Sequence, residues 1–260
     1  MAILTVNNLN IQYITDEGKV HAVKDLNFTV EKQDAIGIVG ESGSGKSTMA
    51  LSILQLLPEN IIDISGEIWY KDVNLLSLSK KELNKIRWEE IAFVFQKSMS
   101  ALSPVHRVGE QLYDVYKIHD PKRNKREVKA HILKLFSKVH LPARTYDLFP
   151  HELSGGMMQR ISIALSLLNN PEIIIFDEAT TALDVVVQEQ VLDMIMDLEE
   201  EFQLTRLMIT HDISVVSSTC NKVIVMQNGE IKEMGDVEEV LLHPKHPYTQ
   251  KLLDSFISIV

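Results

Sequence analysis

Nine consecutive residues, Gly40-Glu41-Ser42-Gly43-Ser44-Gly45-Lys46-Ser47-Thr48, have the types and spacing to hold a phosphate. In a G-x-x-x-x-G-K-S run the glycines let successive backbone N–H groups turn inward around an anion. The helix that follows adds the partial positive charge of its N-terminus. Lys46 would reach the terminal phosphates of a nucleotide, and the Ser47 hydroxyl would take a place on Mg²⁺. The match carries weight only between a buried strand and a helix. Ala35-Ile36-Gly37-Ile38-Val39 predicts that strand, and Met49 to Leu57, rich in helix formers, predicts that helix. The stretch reads as a nucleotide-phosphate cradle rather than a flexible Gly/Ser turn.

Other residues of chemical interest lie far apart in the chain. Ile173-Ile174-Ile175-Phe176 leads into Asp177-Glu178, which predicts a buried parallel strand with two carboxylates at its carboxyl end, the edge where open α/β sheets bind ligands. Leu153-Ser154-Gly155-Gly156-Met157-Met158-Gln159-Arg160 opens a helical run to Leu168. Ser154 is its N-cap and Gly155-Gly156 expose its first N–H groups, a second anion-binding terminus. Tyr13 ends an alternating run just before a turn. It could stack on an adenine or be an ordinary strand tyrosine with a wet hydroxyl. His243 and His246 are set aside as metal ligands because Pro244 and Pro247 remove helical spacing, and Met194 and Met196 read as core filling.

These residues need a scaffold, and 260 residues with 45% hydrophobic content can supply one large α/β domain or a domain with an inserted lobe. Residues 1–35 alternate apolar and polar, as half-exposed antiparallel strands do, with Glu17-Gly18 as the turn. Gly66 to Tyr70 predicts a strand, Lys80 to Arg87 a short helix, and Ile91 to Phe95 a buried strand ending at Gln96. From Lys97 to Pro150 the chain is polar, helical and loop-rich. Its basic run (Lys122, Arg123, Lys125, Arg126, Lys129) reads as a solvated helix start. A helix from Val185 to Glu201, a strand from Thr205 to Thr210 ending at His211-Asp212, and a hairpin turning on Asn228-Gly229 complete the pattern.

A formal charge of −10 speaks against a nucleic-acid surface. The single cysteine, Cys220, excludes an internal disulfide framework and suits a reducing cytoplasm. No signal peptide and no apolar run long enough to span a bilayer is evident, so a membrane role must come through a partner.

The phosphate loop, Gln96 after a strand, Leu153 to Arg160, Asp177-Glu178, Ala179 to Asp184 and His211 occur in the order of ATP-binding cassette ATPases, and the resemblance spans nearly the whole chain. Glu178-Ala179-Thr180-Thr181-Ala182-Leu183-Asp184-Val185 and His246-Pro247-Tyr248-Thr249 look like the oligopeptide, dipeptide and nickel importer branch. The resemblance implies an α/β phosphate-loop NTPase of ABC type. Its RecA-like mixed-sheet core would carry an N-terminal antiparallel β subdomain and an inserted α-helical subdomain. Within a single domain (1–260), it places the β subdomain at 1–35, the nucleotide-binding core at 36–96 and 171–235, the helical signature subdomain at 97–170 and a helical tail at 236–260.

The resemblance also implies roles in ATP hydrolysis. Tyr13 falls where the family keeps its adenine-stacking aromatic. Gly40, Ser42, Gly43, Ser44, Gly45, Lys46, Ser47 and Thr48 hold the phosphates. Ser47 and Gln96 ligate Mg²⁺, with Asp177 acting directly or through water. Glu178 is the general base for the attacking water, and His211 holds the γ-phosphate and orients Glu178. Ser154, Gly155 and Gly156 contact ATP bound to a second ATPase subunit across a head-to-tail dimer, with Asp184 at the same seam.

Implied partners are two transmembrane permease subunits, a second and different ATPase subunit and, indirectly, an extracytoplasmic solute-binding protein. The implied location is the cytoplasmic face of the cell membrane. Peptide importers of this type often carry a cysteine-rich C-terminal extension for an iron–sulfur cluster, for which Cys220 alone is no match. Relatives serving nickel or metal-chelate import tend to be short, as this sequence is. Rival classes fit less well. Soluble cassette proteins of translation or repair usually fuse two cassettes, a phosphate-loop kinase has no use for Leu153 to Arg160, and a nucleotide sensor has none for Glu178.

Overall fold

A computed structural model describes residues 1–95, 102–180 and 183–257, the side chains of 256 and 257 apart. Gln96, Thr181 and Ala182 lie outside the described residues. The chain divides into two compact units, one made of Met1–Leu83 with the segment from Thr205 onward, the other of Asn84–Leu204.

The first unit opens with β1 (Ala2–Thr15) and β2 (Gly18–Glu31), antiparallel from Leu4↔Val30 to Thr15↔Gly18. The turn is Asp16-Glu17 rather than Glu17-Gly18, because Gly18 already pairs with Thr15. β3 (Ala35–Val39) and α1 (Lys46–Ile53) flank the phosphate loop as the sequence predicts. The helix stops short of Leu57, where Gln55 takes a left-handed turn. β4 (Ile62–Tyr70) begins ahead of Gly66 because Ile62 and Ile64 pair with Tyr13 and Ile11 on the free edge of β1. With β5 (Val73–Asn74) this makes an antiparallel sheet of order β2-β1-β4-β5. α2 (Lys80–Ile86) then leads out of the unit.

In the second unit β6 (Ile91–Val94) is followed by α3 (Val108–His119), α4 (Lys125–Lys138), α5 (Gly155–Ser166), β7 (Ile173–Asp177) and α6 (Val185–Phe202). β6 and β7 run parallel, Phe93 against Ile175, and both are buried throughout, as strands covered on both faces must be. α3 and α4 bury Val108, Leu112, Val128, Ile132 and Phe136. Lys122, Arg123, Lys125 and Arg126 of the basic run are exposed around the start of α4, with Asn124 as cap (Glu127 N–H to Oδ1, 3.0 Å). Lys129 lies over the Tyr146 ring at 4.3 Å.

The chain returns to the first unit through β8 (Thr205–Ile209), α7 (Ile213–Thr219), β9 (Lys222–Gln227), β10 (Glu230–Asp236), α8 (Val237–Leu242) and α9 (Pro247–Ile257). β3 lies between β8 and β9, parallel to both (Ile38↔Ile209, Ile38↔Ile224), while β10 pairs antiparallel with β9. The β9–β10 turn has Asn228 and Gly229 at φ 52 and 84, the left-handed pair that a two-residue hairpin requires. Among the described residues no helix is long and apolar enough to cross a membrane.

Candidate functional site

The loop between β3 and α1 is shaped by what presses on it from below. At Gly40 (φ 151) an added Cβ would lie 2.1 Å from the Met226 carbonyl oxygen, and at Gly45 (φ 98) 2.4 Å from that of Ala22. Both are therefore glycine for lack of space as well as for backbone freedom. Gly43 (φ 79) at the crest meets nothing within 4 Å. The β9–β10 hairpin braces the loop, Gly229 N–H donating to Ser44 O at 3.0 Å and Lys24 N–H of β2 to Gly229 O at 2.8 Å. Gly40→Ala is expected to lower stability by about 2–4 kcal/mol in urea unfolding, whereas Gly43→Ala should cost about 1 kcal/mol, from its φ alone. Equal losses at the two positions would show that the hairpin does not press on the loop.

Lys46, only 6% exposed, is the first residue of α1. Its ammonium reaches back across the loop to Gly40 O (2.8 Å), Glu41 O (2.9 Å) and Ser44 Oγ (3.3 Å). Oriented carbonyls thus compensate a buried charge that would otherwise be costly. Gly45, the N-cap, supplies no side-chain cap to α1, which suits a terminus whose partner is an anion. Tyr13 stands beside the first turn of this helix, its hydroxyl 3.3 Å from Thr48 Oγ1. His211 is exposed just past β8, where Thr210 N–H donates to Ile38 O at 3.2 Å, so His211 and the loop share the carboxyl edge of one sheet.

In the second unit Asp177, 9% exposed, ends β7, and Glu178 follows with φ 47, a left-handed backbone that sterics disfavour for any residue with a Cβ. The turn directs the chain out of the sheet at the point where the carboxylates emerge. Ser154 caps α5, its Oγ accepting from Met157 N–H at 3.3 Å, a role that uses a lone pair and keeps the hydroxyl proton as a donor. Asp184 caps α6 through Val187 N–H (3.0 Å). A Cβ on Gly156 would lie 2.8 Å from Val187 Cγ1, and Arg160 Nη2 donates to Gln190 Oε1 at 3.2 Å. α5 and α6 therefore run side by side in the same direction. Ser154, Gly155, Gly156 and Asp184 gather at their shared N-terminal end, edged by exposed Val185 and Val186.

The ABC transporter family profile matches residues 23–181. The chain belongs to the ABC transporter family. It is 42% identical, over 97% of its length and 78% of the relative's, to the oligopeptide transport ATP-binding protein OppD of Haemophilus influenzae. It is 40% identical, over 99% and 74%, to the dipeptide transport ATP-binding protein DppD of Lactococcus lactis. Among solved structures it resembles a dimeric ATP-binding cassette in a post-hydrolysis state bound to ADP and Pi (TM-score 0.79, 29% identity, 90% and 98% coverage). It also resembles cbiO1 of Clostridium perfringens, part of an ABC transporter complex (TM-score 0.79, 26% identity, 99% and 95% coverage). The ABC-type α/β fold expected from the sequence is the fold observed.

The structure brings Tyr13, the loop residues 40–48 and His211 into one unit, and Ser154, Gly155, Gly156, Asp177, Glu178 and Asp184 into the other. Gln96, which follows β6, lies outside the described residues. The Ser47 hydroxyl and the Asp177 carboxylate are hard oxygen donors of the kind Mg²⁺ takes, and Mg²⁺ is commonly held by one or two carboxylates with water and substrate phosphates. Each, by its donor chemistry, fits that ion; no group of three or more His, Cys, Asp or Glu that could hold a metal occurs among the described residues. Held there with a nucleotide, Mg²⁺ would supply positive charge to offset that developing on the phosphates. Sequence reasoning missed the bracing of the loop by Met226 and Gly229, and by the Tyr248 hydroxyl, which accepts from Glu41 N–H at 3.2 Å, because those contacts join segments distant in the chain.

Proposed function

We propose that this chain is the ATP-hydrolysing subunit of an ABC importer, coupling ATP binding and hydrolysis at a head-to-tail ATPase dimer to peptide uptake through a partner permease. The observation that carries the reading is the 42% identity over 97% of the chain to an oligopeptide transport ATP-binding protein, a match that takes in both units. The relatives it matches are named for oligopeptides, peptides and dipeptides, which favours peptide over nickel or metal chelates.

In this mechanism Tyr13 stacks on the adenine, and the N–H groups of residues 40–48 surround the phosphates. Lys46 neutralises the terminal pair. Ser47, Gln96 and Asp177 would hold Mg²⁺. Glu178 accepts a proton from the attacking water, and His211 steadies the γ-phosphate and the Glu178 carboxylate. The signature end of a second ATPase, equivalent to Ser154, Gly155 and Gly156 here, closes over the same nucleotide, with Asp184 at the seam. Loss of the γ-phosphate then releases the clamp.

Two transmembrane permease subunits receive that motion, the second ATPase is a different chain, and an extracytoplasmic solute-binding protein delivers the cargo. The protein sits at the cytoplasmic face of the membrane through its permease, and no nucleic acid takes part. Affinity purification from solubilised membranes should recover two multi-span proteins together with ATPase activity. Recovery of an active ATPase without any membrane partner would overturn the importer reading.

A further inference from the structure

The peptide linking Gly40 to Glu41 is held at both ends. Its carbonyl accepts from Lys46 Nζ at 2.8 Å, and its N–H donates to the Tyr248 hydroxyl at 3.2 Å. A peptide plane pinned by its N–H cannot rotate without carrying its carbonyl away from the ammonium. Hydrogen bonds in series also polarise one another, so the two contacts strengthen together.

Tyr248 is itself fixed from several directions. Its ring is 6% exposed and packs in a cluster with Val39, Val216, Val223, Val225, Val237 and Val240. Its own N–H donates to His246 Nδ1 at 3.1 Å at the start of α9. Just upstream, Glu233 of β10 accepts the N–H groups of Lys245 (2.8 Å) and His246 (3.0 Å). Burial opposes ionisation of Glu233, but hydrogen bonding, the Lys245 amide first, together with the charge of His246, holds the carboxyl below its ordinary range. Burial likewise pushes the Tyr248 phenol up, with the Glu41 amide acting the other way, so it remains a neutral hydroxyl. The segment from Glu233 to Tyr248 is a strut running from the edge of the sheet to the phosphate loop.

We infer that Tyr248 is a positioning residue for Lys46, orienting the Gly40–Glu41 peptide so that the loop presents its lysine to the terminal phosphates. This deepens the nucleotide-binding reading above and rests on it. Tyr248 acts through the 40–41 peptide and not through the nucleotide, so its contribution falls on affinity and not on the hydrolytic step. Ring and hydroxyl have separable tasks, the ring filling the cluster and the hydroxyl setting the peptide.

Tyr248→Phe removes the hydroxyl and keeps the ring, while Tyr248→Ala removes both. The parent is first shown to bind a fluorescent MgATP analogue. Failure at that step would fall on the nucleotide-binding reading itself. Given binding, Tyr248→Phe should weaken affinity and raise KM about 3- to 10-fold, the range expected for one hydrogen bond, with kcat within about twofold. Its melting temperature should stay within about 3 °C of the parent, whereas Tyr248→Ala should fall well below it. Unchanged affinity in Tyr248→Phe, or an affinity loss matched by a drop in melting temperature like that of Tyr248→Ala, would overturn the inference.

Discussion

Glu178→Gln is expected to bind MgATP as the parent does and to hydrolyse it about 100- to 10,000-fold more slowly, the range for loss of a general base. Gln keeps the shape and the backbone demand of the position, where φ is 47, so stability should not change. What it cannot do is take a proton from water. Nucleotide then stays intact, and the clamped ATPase pair should accumulate. Sedimentation with MgATP should show that pair, and filter-bound label should show retained ATP. Single-turnover hydrolysis at the parental rate would remove Glu178 from its assigned role, and a strictly monomeric species would damage the clamp.

Lys46→Ala acts earlier, at binding. The ammonium is held by Gly40 O, Glu41 O and Ser44 Oγ together, and in the proposed mechanism its charge neutralises the terminal phosphates. A charge-assisted hydrogen bond contributes about 1.5–3 kcal/mol, so the MgATP Kd should rise about 10- to 150-fold. Affinity for adenosine, which has no phosphates, should be unaltered. Equal weakening for both ligands would point to collapse of the loop instead of a lost phosphate contact.

How much of this was legible in the sequence depended on distance along the chain. The β3–loop–α1 unit was legible because strand, glycines and helix are contiguous and each carries its own local signal. So were β7 with Asp177, the Ser154 cap, and the turn at Asn228-Gly229. Element ends were less legible. Nothing in Ile62 to Ile64 announces a strand until β1 supplies the edge they pair with, and nothing before Gln55 announces the end of α1. The Tyr248–Glu41 contact, across 207 residues, was not legible at all. A tyrosine after His-Pro reads as a helix start, and only the folded chain shows which amide its hydroxyl meets. Long-range packing has no period for a local reading to detect.

The left-handed backbone at Glu178 sets durability against turnover. Glycine there would relieve about 1–2 kcal/mol of steric conflict, but it would remove the carboxylate proposed above as the general base. A lineage selected for heat resistance alone would be drawn to erase this residue early. The outcome would be a sturdier cassette that grips its fuel and never burns it.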